Sequence, residues 1–404
     1  MLCLLCLQLC LCLPAAAERS SSLGKFFAWA VPKNAGFSGQ VHPYLLVGNP
    51  SPQATQALLL FPQSSANHLR LTLKPFSTLK VEIPADLELK TGNLTGEAKV
   101  LRLAALDPVS LHVCSEFSGD GSAYSFMVLP VRHWGRRYIA LTPPTSTNPA
   151  DEAFHNHIII LAASRPVTVR IQRESEEMLK LGAYEAACLA SPADLSGTLI
   201  TSDAEIGVIS GSRCAWLAGG TSCDALAEML PPTASWGTQF PLVSLAGDLA
   251  GSSFKAVASA NDTLLLLDGV AQVVLGEREA YELELSSARP HFINATSPVL
   301  LGPLVFKTAS SYPANESSYI NFLNIIIGLE ERSQLLLDGY NISTSVLWFP
   351  IPNSPFVGLG MPITDGEHRL ETAESAVSFT ASVYSYSYFV GSGYLLAASY
   401  QGLL

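Results

Sequence analysis

An apolar hairpin signature returns along this chain with nearly the same ending. Leu264–Gly269 reads LLLLDG and Leu335–Gly339 reads LLLDG, and each closes a paired-strand segment. The fuller segments are His157–Ile171 (HIIILAASRPVTVRI), Phe254–Val270 (FKAVASANDTLLLLDGV) and Asn324–Tyr340 (NIIIGLEERSQLLLDGY), with Leu69–Ile83 read as a first copy. A second recurring piece is a strand led by an acidic or small residue, often with Pro. It is Leu106-Asp107-Pro108-Val109, then Ser202-Asp203-Ala204-Glu205-Ile206, then Thr296-Ser297-Pro298-Val299. A third is a Leu-Pro…Trp-Gly…aromatic turn. Leu129-Pro130 leads to Trp134-Gly135 and Tyr138, and Leu230-Pro231 leads to Trp236-Gly237 and Phe240. A degraded copy runs from Gly302-Pro303 to Tyr312. The pieces alternate in a fixed order, giving a unit of roughly 70 to 100 residues present about three to four times, longer than any short-period solenoid repeat.

Inside the unit the apolar period is two. Leu69, Leu71 and Leu73 share one face, as do Leu79, Val81 and Ile83, and Val167, Val169 and Ile171. Such runs, bounded by Gly, Pro, Ser or Asn, are strands. Phe26, Phe27 and Trp29 read as a core-facing first strand. Asp224–Met229 is the best helix candidate, with Asp224 as its cap. Arg173–Leu181 is charged and reads as a loop or hairpin end. A sheet must bury one face against a neighbour. The expected fold class is therefore all-β: internally repeated antiparallel β-sheets packed as tandem sandwiches, with a blade-like ring as the alternative. The repeats are expected to form one β domain over residues 24–400.

The chain opens on Met1 and stays apolar to Leu13, and small residues follow to Ala17. This reads as a signal peptide over residues 1–17, too short to span a bilayer. The product is expected to be secreted and extracellular, with no transmembrane segment. Eight cysteines fall to four once Cys3, Cys6, Cys10 and Cys12 leave with the leader. Four in an oxidising compartment allow three pairings. Cys214 and Cys223 are close in sequence around Gly219-Gly220 and are paired, which leaves Cys114 with Cys188. Asn93, Asn261, Asn294, Asn315 and Asn341 each open an Asn-x-Ser/Thr sequon and are read as N-glycosylation sites. Charged residues make up 14% of the chain and the net charge is −11, which excludes the basic stripe a nucleic-acid partner needs.

Motifs for chemistry are scarce. There is no Gly-x-Ser-x-Gly elbow and no His-Glu-x-x-His. Gly358-Leu-Gly360 does not open a helix after a strand, so it is no dinucleotide loop. His155-x-His157, near Asp151 and Glu152, is the one metal-like cluster. It lacks further ligands at a usable spacing and reads as a polar strand edge. Asp120 in Ser118-Gly-Asp-Gly-Ser122 reads as a turn rather than a Ca²⁺ loop. Asp268-Gly269 and Asp338-Gly339 read as tight hairpin turns rather than catalytic carboxylates. Trp134-Gly135 and Trp236-Gly237 occupy one place in the repeat and read as structural corners rather than sugar-stacking sites. No catalytic residue, metal or cofactor is assigned.

One block resembles a known family. Its residues are Gly197, Ser202-Asp203, Ser210-Gly211, Cys214, Cys223-Asp224, Leu226, Glu228, Leu230-Pro231-Pro232, Trp236-Gly237 and Phe240. Their order is similar to the N-terminal domain family of IgGFc-binding proteins. Gly24–Ala30 followed by Asn34 resembles that domain's first strand. Leu335–Gly339 and Gly366, His368 and Leu370 resemble its closing section. Glu205 stands where the family usually has Pro, and Ala225 where it often has His. Full-length relatives continue into Cys-rich modules, so mucus cross-linking through those modules is not carried over. The resemblance implies a non-catalytic mucosal binding glycoprotein whose protein partner is the IgG Fc region or a mucus glycoprotein; no partner-binding residue is assigned. The alternatives are an extracellular structural or adhesion protein binding mucin or matrix and, more remotely, a secreted glycan hydrolase.

Overall fold

The computed structural model describes residues 22–397, apart from 35–39, 63–67, 90–91, 118–121, 146–149, 217–222, 244–251, 287–288, 307–319, 365–367, 373–376, 378 and 387–390. The signal peptide, Asp120, Gly219-Gly220, Asn315 and Gly366 lie outside the described residues.

Four successive units share one strand topology. The first comprises β1 (Gly24–Trp29), β2 (Val41–Asn49), β3 (Thr55–Leu60), β4 (His68–Leu73), β5 (Ser77–Glu82), β6 (Leu101–Phe117) and β7 (Ala123–Met127). The second comprises β8 (Gly135–Ile139), β9 (Asn156–Ala162), β10 (Val167–Gln172), β11 (Glu176–Leu181), β12 (Ala186–Ser191), β13 (Leu199–Trp216) and β14 (Cys223–Met229). The third comprises β15 (Gly237–Leu242), β16 (Ser252–Ala258), β17 (Thr263–Leu267), β18 (Val270–Leu275), β19 (Ala280–Leu285) and β20 (His291–Phe306). Strand orders β4-β3-β6-β2-β5, β11-β10-β13-β9-β12 and β18-β17-β20-β16-β19 are the same path.

The fourth unit comprises β21 (Ile320–Gly328), β22 (Leu335–Leu337), β23 (Tyr340–Asn341), β24 (Phe349–Pro350), β25 (Phe356–Ile363), β26 (Leu370–Thr372), β27 (Phe379–Tyr386) and β28 (Gly391–Ala397). Its orders are β23-β22-β26 and β24-β25-β21-β27-β28. Joining β26 to β27 as two halves of one long strand restores the common path, with β24 added at an edge.

The long strand of each unit belongs to two sheets. The first half of β6 pairs with β1 and β3; its second half pairs with β2 and β7. β13 does the same with β8 and β10, then with β9 and β14. Each unit is therefore a small sandwich whose two layers share one bent strand, as strands do when they turn a corner between sheets. The bend falls on the acidic or Pro-bearing piece. Leu106, Asp107 and Pro108 are exposed midway along β6, where Pro108 has no N–H to give a ladder. The corner side chains also hold the neighbouring strand. Thr55 Oγ1 donates to Asp107 Oδ2 (2.8 Å), Thr168 N to Asp203 Oδ1 (2.9 Å) and Leu264 N to Thr296 Oγ1 (2.9 Å).

Unbroken apolar runs mark strands buried on both faces. On β9, Ile158, Ile160 and Ala162 enter the second unit's core, while Ile159 and Leu161 enter the core of the first. β12 and β13 divide likewise: Ala187, Leu189, Ile206 and Val208 face inward, and Ala186, Cys188 and Ile209 face the first unit.

The units also meet in a cycle. The third touches the second through Trp236, packed with Ile139 and Val257. The fourth touches the third where Gly358 faces Val243 and Asn353 Nδ2 donates to Asp268 O (2.8 Å). The fourth reaches back to the first: β28 lies against β7, and the Arg369 guanidinium sits 3.8 Å from the Phe76 ring centroid. The sandwiches are thus tandem in sequence, with contacts that close from last to first.

Several local expectations are corrected. Asp224–Met229 is strand β14, because Ala225 and Met229 deliver a period-two face to the first unit's core. Arg173–Leu181 contains β11, an edge strand paired along its length with β10. Leu69–Ile83 is the fourth and fifth strands of its unit, β4 and β5, and the true counterpart of His157–Ile171 is β2–β3. Leu69 itself is 43% exposed. Phe27 and Trp29 are buried, while Phe26 faces outward. Gly302-Pro303 lies within β20 rather than in a linker, and Tyr312 lies outside the described residues.

Candidate functional site

The recurring Leu-Pro…Trp-Gly string builds the joints between units. Leu129-Pro130 leaves β7, makes one 3-10 turn at Val131–His133, and delivers Trp134 and Gly135 to β8. Leu230-Pro231-Pro232 leaves β14, turns at Thr233–Ser235, and delivers Trp236 and Gly237 to β15. Both indoles are buried. Trp134 lies on Gly207, where a Cβ would approach its Cζ2 to 2.7 Å. Trp236 Nε1 donates to Pro231 O (3.1 Å). The first glycine of a leading strand receives the next linker's proline: a Cβ on Gly24 would meet Pro130 Cγ, and one on Gly135 would meet Pro232 Cβ, each at 2.5 Å. Tyr138 OH donates to Ile206 O (2.6 Å) and accepts from Gly135 N (2.8 Å), tying the aromatic end of the string to the long strand.

A polar cluster sits behind the first of these joints. Cys214 on β13 and Cys223 on β14 form a disulfide with a Cα–Cα distance of 5.1 Å. The neighbouring Arg213 is 4% exposed and donates from one terminal nitrogen to Glu152 O (2.8 Å), while its Nε has no partner. His157, on the adjacent strand β9, is 2% exposed with Nε2 unpartnered. Burial, and then the Arg213 charge, push its pKa down to about 3. The polar-edge reading of His155-x-His157 is thereby corrected, since His157 is interior.

Glu88, from the first unit, faces the same joint. Burial pushes its carboxyl up to about 7 against the pull of the Asn34 N–H, which donates to Oε1 (3.1 Å). Asn34 Nδ2 reaches Ser122 O (3.3 Å), and Ser122 Oγ donates to Asn34 Oδ1 (2.9 Å) while accepting from Ala225 N (3.3 Å). This network joins the two units.

The expected Cys114–Cys188 bridge is not formed. The two are separate buried thiols, on β6 of the first unit and β12 of the second, and no strand register brings them together. Burial pushes both thiols up to about 12. The sequence paired them only by elimination.

Asn93, Asn261 and Asn341 are exposed, while Asn294 is half-buried within β20, opposite Gln239 and Leu266. Glu205, in the family's usual Pro position, accepts from Arg136 and Arg165 (2.7 Å each) on the surface. Asp268 and Asp338 do sit in two-residue turns, at φ 52° in both, followed by Gly269 and Gly339 at φ 84° and 80°. Sequence reasoning missed that each turn aspartate faces a histidine, His291 at the start of β20 or His368 two residues before β26. The signal was present: both Asp-Gly turns are followed by a lone His at the start of the next long strand or two residues before it. Among the described residues, no group of three or more His, Cys, Asp or Glu side chains could hold a metal ion.

These features define an all-β repeat protein with buried polar groups at a joint between its units, and its middle, residues 124–305, matches the family described as IgGFc binding protein. The particular relative is the human IgGFc-binding protein, 23% identical over 358 residues, covering 78% of this chain. The chain spans about 6% of that relative's length. A solved structure, that of Thermotoga maritima 1070, aligns over 26% of this chain and 89% of its own at 14% identity, with a TM-score of 0.19. No helix among the described residues is long and apolar enough to cross a membrane.

Proposed function

We propose that this chain is a secreted, non-catalytic glycoprotein module that binds the Fc region of IgG. The observation that carries the reading is the family match over residues 124–305, together with the human relative named for that binding. Three features support it. Cys214–Cys223 suits an oxidising compartment. Asn93, Asn261 and Asn341 are exposed and open to glycan transfer. Arg213 and His157, both buried, and the half-buried Glu88 lie where the first and second units meet.

The test is surface plasmon resonance of the secreted, glycosylated chain on immobilised Fc, with Fab and an unrelated glycosylated β-protein as references. Saturable binding confined to Fc is expected. A response no stronger than that of the unrelated glycoprotein removes the Fc assignment. Intact-mass analysis of the same material should give an N-terminus after Ala17 and glycans at Asn93, Asn261 and Asn341, with Asn294 unmodified because strand pairing shields it.

A further inference from the structure

The hairpin turns of the third and fourth units carry the same set of hydrogen bonds. In the third, Asp268 Oδ1 accepts from Phe292 N (2.9 Å) and Oδ2 faces His291 Nδ1 (2.9 Å), while His291 Nε2 faces Ser286 O (3.1 Å). In the fourth, Asp338 Oδ1 accepts from Arg369 N (2.7 Å) and Oδ2 faces His368 Nδ1 (2.8 Å), while His368 Nε2 faces Thr364 O (2.9 Å). Each aspartate N–H also donates back to the long strand, to Phe292 O (2.8 Å) or Arg369 O (2.7 Å). Ser286 directly follows β19, and Thr364 directly follows β25, so the anchors are equivalent as well.

Both ring nitrogens of each histidine face an oxygen that only accepts, and His368 Nε2 also faces the Thr364 hydroxyl (3.2 Å). A carbonyl oxygen carries no proton. The carboxylates already accept a backbone N–H, and Asp268 Oδ2 accepts from Arg289 too (3.1 Å). Both contacts are hydrogen bonds only when the imidazole holds two protons. Losing one leaves a nitrogen lone pair against an oxygen lone pair at His291; at His368 the charge-assisted bond to Thr364 O is lost and only the Thr364 hydroxyl can turn to donate to the bared Nε2.

We propose that Asp268–His291 and Asp338–His368 form a duplicated, proton-operated clasp: the imidazolium ties a hairpin turn to the end of a strand of its own unit, and deprotonation cuts one of the two ties. Both clasps adjoin joints between units. Asn353 of the fourth unit donates to Asp268 O, and Arg369, whose N–H binds Asp338, lies over Phe76 of the first. Strand register puts Gln172 and Thr198 of the second unit in the places of Asp268 and His291. There Arg278 of the third unit does the tying, from Nε to Gly197 O (2.8 Å) and from a terminal nitrogen to Gln172 O (2.9 Å). Arginine keeps its charge at any physiological pH, so that joint holds a proton-independent version of the same tie.

The charged groups around His291 are Asp268 and Arg289. Those around His368 are Asp338 and the Arg369–Glu371 pair. The Asp338 hydrogen bond holds His368 above its ordinary range. The joint beside Asp338 therefore loosens as pH rises through that raised range.

The experiment is ¹⁵N-histidine NMR of the full chain from pH 5 to 9, with hydrogen exchange of residues 289–293, 349–356 and 368–372 alongside. His368 should show both nitrogens protonated at pH 6.5 and titrate above the free value of about 6.5. Asp338→Asn should return it toward that value. Protection of those segments, corrected for intrinsic exchange, should fall at least about tenfold between pH 6 and 9. Titration of His368 at or below the free value, or protection independent of pH, overturns the proposal. The wild-type titration stands even where a variant fails to fold.

Discussion

A single β-carbon at position 207 would collide with two side chains at once. It would lie 2.7 Å from Trp134 Cζ2 and 2.9 Å from Met229 Cε, and neither has room to retreat from a filled core. Gly207→Ala should therefore destabilise the protein by about 1–3 kcal/mol, the range for overpacking, measured as a lower urea midpoint with an unchanged slope. An unchanged midpoint would mean that Trp134 does not rest on the long strand. The residues of the first joint predict a pH profile as well. His157, held down to about 3, contributes stability present above about 6.5 and lost as pH falls toward 3. Glu88, held up to about 7, contributes stability present below about 4.5 and lost as pH rises through 7. Between about 4.5 and 6.5 the two slopes oppose, so their joint contribution is flat. Glu88→Gln should unmask a rise in stability with pH of up to about 1.4 kcal/mol per unit in that window, and His157→Gln a fall of the same size. Denaturation midpoints of both variants across that window check this, and parallel profiles would refute it.

At the scale of elements, the bend in each long strand is where two sheets become one sandwich. Asp203 holds the start of β10 at that bend through the Thr168 N–H. Asp203→Ala should cost about 1 kcal/mol, the net value of such a bond, and raise hydrogen exchange at Thr168 ahead of the rest of β10. Uniform exchange along the strand would place the corner's role elsewhere. Much of this architecture was legible in the sequence, because period two survives wherever one face of a strand is buried. Val167, Val169 and Ile171 are an example, all buried on one face of β10. The bends were legible as recurring Asp or Pro pieces, though not as bends, since a strand's change of sheet leaves no period of its own. Asp224–Met229 misled because an acidic cap followed by Leu226 and Met229 mimics helical spacing, and only packing on the first unit selects the strand. His157 and Arg213 were illegible for a related reason. Whether a charged residue lies at an edge or in a joint is decided by a unit dozens of residues away.

For the whole molecule, the decisive relation is between the ends of the repeat array. Neighbouring units must touch in any tandem arrangement, so the first three joints do not distinguish a rod from a cycle. The contact between the fourth and first units does. There the Arg369 guanidinium lies over the Phe76 ring, and Phe76 holds its own backbone at φ 49°, in the left-handed region, to present that ring. A non-glycine residue in that region is uncommon and strained, which is explained if the ring is held by a partner. A double-mutant cycle of Phe76→Ala and Arg369→Ala should therefore give a coupling energy of about 0.5–1 kcal/mol, the value of a partly exposed cation–π pair. In an open array the two residues never meet and the cycle closes at zero. A nonzero coupling that also weakens above pH 8 would link this contact to the His368 clasp one residue away, because Arg369 is positioned through the backbone bond to Asp338. A coupling unchanged with pH would leave the cycle of units intact while separating it from the clasp.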